Sequence, residues 1–237
     1  MTETFAALLF AHVIADFLLQ TNWMVRGKTR LLPLFAHIAV VLVAAFAATG
    51  TLHPVILVLA AAHLLIDALK SGYFSGKLGP FLLDQAAHLA TLMVAAQLAP
   101  DLWAGGLWSG ILPLPALMAL AAGAILATQA GGFAVGILMQ PWLTAAPEGL
   151  PNGGRMIGIL ERGLIFLLIL TGLAAGIGFL IAAKSLLRFG AVKDEGRLSE
   201  YVIIGTLASF GWAIAMSSAT IGLLALLRPL GIPDLSP

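Results

Sequence analysis

The chain has 237 residues, 60% of them hydrophobic and 10% charged, with a formal net charge of +1. A mean hydropathy of +1.03 is far above that of water-soluble domains and assigns the chain to a lipid bilayer, with no nucleic-acid partner expected. The absence of cysteine removes disulfides and thiolate metal ligands.

Apolar segments of helical length run from Phe5 to Gln20, Pro33 to Thr49, Pro54 to Leu69, Pro80 to Leu98 and Pro115 to Gln140. Several open with proline, which suits a first turn whose N–H has no helical partner. The first segment lacks a basic n-region and contains Asp16, so it reads as a retained helix and not as a cleaved signal peptide. Arg26/Lys28/Arg30, Lys70/Lys77, Arg155/Arg162, Lys184/Arg188 and Lys193/Arg197 separate the apolar runs. Positive residues collect on the cytoplasmic side, so the stretch from Arg155 to Arg188 is expected to be a tight helix pair breaking near Thr171-Gly172. A final run from Tyr201 to Leu227 completes an all-α polytopic bundle of about eight crossings in a bacterial inner membrane, basic loops cytoplasmic. Residues 1–99 form one region, 100–114 an external interfacial loop with Trp103 and Trp108, and 115–237 a second helical region.

The first region carries an internal repeat. Ala11-His12-Val13-Ile14-Ala15-Asp16 returns 51 residues later as Ala62-His63-Leu64-Leu65-Ile66-Asp67, and His37 falls on His88 at the same offset. Residues four apart share a helix face, so His12 with Asp16, His63 with Asp67 and Asp84 with His88 are same-face pairs. In the expected topology these groups and His37 converge on one layer near the cytoplasmic surface. An aspartate at a helix centre costs about 2.5–3.5 kcal/mol in a bilayer, so three must be paired, hydrated or metal-bound. Four imidazoles and three carboxylates suit zinc, manganese or iron, in one or two copies. His12, Asp16, His37, His63, Asp67 and His88 are the candidate ligands. Asp84, whose repeat counterpart is Pro33, breaks the symmetry and is the candidate general base or asymmetric ligand. Hydrogen-bonded pairs that merely join helices are the bland alternative.

In the second region Arg155, Arg162 and Lys184 are candidate contacts for an anionic, lipid-linked or phosphate-containing substrate, against the plainer role of positive-inside anchoring. Glu161 is a candidate catalytic carboxylate, through metal ligation, or else a partner of Lys184 or Arg188 across the helix pair.

His12 through Gln20, His63 through Asp67 and Asp84-Gln85-Ala86-Ala87-His88 together resemble a bacterial membrane family known as domain of unknown function 3307, over about residues 4 to 98. Ile157 to Arg162, Ala183 to Phe189 and Glu200 to Thr206 resemble the C-terminal part often joined to it. The His-xxx-Asp spacing is also similar to that of membrane-bound metal-dependent hydrolases. That likeness implies metal-dependent hydrolysis of an anionic substrate from the cytoplasmic side. A proton or metal-ion transporter using the same cluster, and a non-catalytic scaffold, are the other expectations, and a transporter needs a polar path to the outer face.

Overall fold

Helix α1 (Thr2–Ile14) runs without interruption into a π-helical turn, Ala15–Leu19, and a short helix α2 (Asn22–Arg26) follows, its first turn capped by Thr21 Oγ1. Then come α3 (Leu31–Thr49), α4 (Pro54–Tyr73), α5 (Leu78–Leu98) and α6 (Leu114–Ile125). A second π turn, Leu126–Ala130, leads into α7 (Gly131–Met139) and a 3-10 turn, Gln140–Ala145. The chain ends with α8 (Gly153–Leu170), α9 (Gly176–Val192) and α10 (Gly196–Leu224). This computed structural model describes residues 1–27, 30–73, 77–145, 150–192 and 196–229, and the described residues contain no strand. Lys28 and Lys193 lie outside them.

Among the described residues, five helical stretches are long and apolar enough to cross a membrane: Thr2–Leu19, Leu31–Thr49, Leu78–Leu98, Leu114–Leu143 and Gly196–Leu224. Pro54–Leu69 and Gly176–Leu186 are shorter apolar helices. Leu31, Leu32, Leu83, Phe179 and Leu186 are among many large apolar side chains on the surface, as expected where the surrounding solvent is hydrocarbon.

The chain divides into two compact units, residues 1–125 with 222–231, and residues 126–221 with 232–237. In the first, α1 packs against α3, α5 and α6, and α4 lies between α3 and α5. Within this bundle Ala7, Ala11, Ala45, Ala48, Ile56, Trp103 and Met118 form one apolar cluster. The segment after α5 is held against α1 and α3: Thr4 Oγ1 donates to Pro100 O and accepts from Trp103 N, and Trp108 Nε1 donates to Ala47 O. Gly50 terminates α3 in the left-handed region, and its carbonyl accepts Leu107 N. These bonds tie 100–114 into the first unit.

In the second unit α8 ends at Thr171, Gly172 takes a positive φ of 71°, and α9 begins at Gly176. Ile165, Phe210 and Ala213 form its core, with Ile169, Ile177 and Leu180 against them. A π turn offsets the i→i−4 ladder and frees carbonyls. Leu126 O accepts Trp212 Nε1 at 2.8 Å, and Thr128 O accepts both Nε and Nη2 of Arg162.

Candidate metal centre

The π turn at Ala15–Leu19 places Asp16 beside three imidazoles drawn from three helices. Asp16 Oδ1 lies 3.4 Å from His37 Nε2, 3.5 Å from His63 Nε2 and 3.8 Å from His12 Nδ1. His37 Nε2 and His63 Nε2 face each other at 3.2 Å. Asp67 Oδ2 is 3.6 Å from the first and 3.8 Å from the second. Asp16 Oδ1 and Asp67 Oδ2 thus each lie within 3.8 Å of both facing imidazole nitrogens. Ligands bound tetrahedrally at about 2.0–2.1 Å stand about 3.3–3.4 Å apart, so these separations are of the order that neighbouring metal ligands show.

A second group of donors adjoins the first. Asp67, Asp84 and His88 bring ligand atoms within 4.8 Å of one another, as do His12, Asp16 and His63. His88 Nδ1 lies 2.9 Å from the carbonyl of Asp84, one turn back on α5. With the proton on Nδ1 this bond fixes the tautomer and leaves the Nε2 lone pair for a ligand, the usual outer-shell arrangement of a metal-binding histidine. His88 Nε2 is buried with no hydrogen-bond partner, and the same holds for His12 Nδ1. The rings stack into one cluster, His63 on His88 at 4.1 Å and His12 on His88 at 5.1 Å between centroids. Gln85 Nε2 donates to Asp84 Oδ2 at 3.1 Å.

Six of the seven groups are buried, His37 at 0% exposed and Asp67 and His88 at 1%, and the Asp16 side chain is 8% exposed. Three carboxyl groups and four imidazoles therefore share a medium of low dielectric. Interhelical hydrogen bonds in membrane proteins return on average about 0.6 kcal/mol, too little to offset three buried carboxylates at about 2.5–3.5 kcal/mol each. A divalent cation, worth about 10–16 kcal/mol at a structural zinc site, is large enough. The donor chemistry, the spacing and the two unpartnered ring nitrogens all fit such an ion.

The remaining sequence-selected residues belong to the second unit, around a cavity of about 510 Å³. Arg155, Glu161, Arg162 and Lys184 all line it. Lys184 Nζ donates to Glu161 Oε2 at 2.7 Å, so of the options open to Glu161 the cross-hairpin pair is the one formed. Arg162 is buried, its Nη1 bonded to Ser209 Oγ at 3.0 Å and its Nε and Nη2 to Thr128 O. Sequence reasoning did not select Thr128, Ser209, Gln129 or Thr206. Thr128 acts through a main-chain carbonyl freed by a π turn, and an isolated serine or threonine on an apolar helix carries no distinguishing pattern. His53, in the turn before α4, accepts Val55 N through Nδ1 and is a local cap.

Residues 4–104 match the model of a family described as Protein of unknown function (DUF3307). The match takes in all seven groups of the cluster and ends before the second unit begins. No curated protein and no solved structure matches the chain.

Proposed function

We propose that the first unit is a divalent-metal centre that performs hydrolysis on an anionic substrate at the cytoplasmic side of a bacterial inner membrane. The observation that carries this is the convergence of His37, His63, Asp16 and Asp67 at metal-ligand separations. Asp67 also stands in the group with Asp84 and His88, so its carboxylate can bridge to a second ion. Two divalent ions against three carboxylates leave a single positive charge, which favours an incoming anion. Zinc, manganese and iron are the metals that this nitrogen and oxygen set suits.

A bound divalent ion supplies Lewis acidity and acidifies a coordinated water. Asp84 would serve either as the asymmetric ligand or as the base that takes a proton from the attacking water and returns it to the leaving oxygen, with Gln85 Nε2 donating to its Oδ2. The apolar cluster of Ala7, Ala11, Ala45, Ala48, Ile56, Trp103 and Met118 weighs against transport, which needs a polar path across the bundle. Metal analysis of protein purified without chelators is expected to give two ions per chain, and a lower content in His63→Ala, the residue common to two of the ligand groups. Metal-free wild type, or unchanged content in His63→Ala, overturns the reading.

A further inference from the structure

The second unit has a site of its own. Its cavity of about 510 Å³ falls within the range of small-ligand pockets and has two kinds of lining. One is cationic, with Arg155, Arg162 and Lys184 against the single carboxylate of Glu161. The other is apolar, and Phe133, Leu143 and Ile157 of that lining are also among the exposed side chains of the molecule. Large apolar side chains that both line a cavity and stand about half exposed suit an edge that meets acyl chains and not water.

Arg162 forms the floor. Its side chain crosses glycines at which a Cβ would stand 2.9 Å from Cδ (Gly131), 3.2 Å from Nη2 (Gly132) and 2.9 Å from Nη1 (Gly158). A guanidinium has five N–H donors, and Thr128 O and Ser209 Oγ take one each from Nε, Nη2 and Nη1. Two donors remain for a ligand. Lys184 keeps two of its three beyond the bond to Glu161.

We infer that this cavity binds the phosphate headgroup of an anionic lipid, with its tail leaving past Phe133, Leu143 and Ile157. The binding is independent of the metal centre. Glu161 sets its strength: the carboxylate holds Lys184 in place while offsetting part of the positive charge that a phosphate would meet.

The test uses the whole protein in phosphatidylcholine nanodiscs, titrated with phosphatidic acid and, in a parallel arm, with inorganic phosphate, bound lipid being counted by native mass spectrometry. One phosphatidic acid per chain is expected. Affinity should fall about tenfold in Arg155→Ala and in Lys184→Met and rise severalfold in Glu161→Gln. A purely structural ion pair would weaken, never tighten, binding when the carboxylate is removed. The His63→Ala protein, stripped with a chelator, is expected to bind the lipid normally, so that failure of the metal reading and failure of this one are told apart. Inorganic phosphate binding more tightly than phosphatidic acid, or unchanged affinity in Arg155→Ala and Glu161→Gln, overturns the inference.

Discussion

Asp67 is the residue on which the two ligand groups of the first unit meet. Its Oδ2 lies 3.6 Å from His37 Nε2, and it shares a group with Asp84 and His88. Asp67→Asn keeps the shape and removes the charge, so metal affinity should fall at least about 100-fold, beyond the loss typical of outer-shell changes. Titration with a competing metal indicator measures this, and His53→Ala, which touches only a cap, should leave affinity as it was. At this scale the sequence was informative where a side chain carries the chemistry. The 51-residue offset and the four-residue spacing single out the histidines and aspartates of the cluster. It was silent on His88 Nδ1, whose partner is a carbonyl, and on Thr128, whose role is also played by the main chain.

Among the elements, the prolines at 33, 54, 80 and 115 mark first turns of α3, α4, α5 and α6, so helix starts could be read from residue type. The break after α8 is also readable, since Gly172 adopts a backbone conformation that other residues resist. The π turns could not be read: Ala15–Leu19 and Leu126–Ala130 are ordinary apolar sequence, and their extra residue is paid for by contacts made elsewhere in the fold. The second turn depends on space at Gly131, where a Cβ would lie 2.6 Å from Trp212 Cδ1 and 2.9 Å from Arg162 Cδ. Gly131→Ala should displace Trp212 from the Leu126 carbonyl and lower stability by about 1–3 kcal/mol, read as a drop in melting temperature. Gly211→Ala, where a Cβ meets nothing within 4 Å, should be neutral or stabilising.

Across the molecule, hydropathy and the spacing of apolar runs establish an all-helical chain with stretches able to span a bilayer. How a chain gathers into compact units depends on contacts between distant residues, which composition and periodicity do not carry. In the first unit, side chains from α1, α3, α4 and α5 join all four helices through the cluster. An ion held there at 100 times its dissociation constant would add about 2.7 kcal/mol per site to stability. On the proposed reading, stripping the protein with a chelator should lower its melting temperature, reversibly on readdition of zinc or manganese, and His63→Ala should show a smaller drop.

The packing of Trp103 and Met118 with Ala7, Ala45 and Ala48 fills the interior between α1 and α3 with small side chains. Ala7 and Ala45 are almost wholly buried, and they lie on the helices that carry His12 and His37. A close-packed interior passes strain from one contact to the next, so a larger residue at either alanine would be felt as a displacement of those imidazoles.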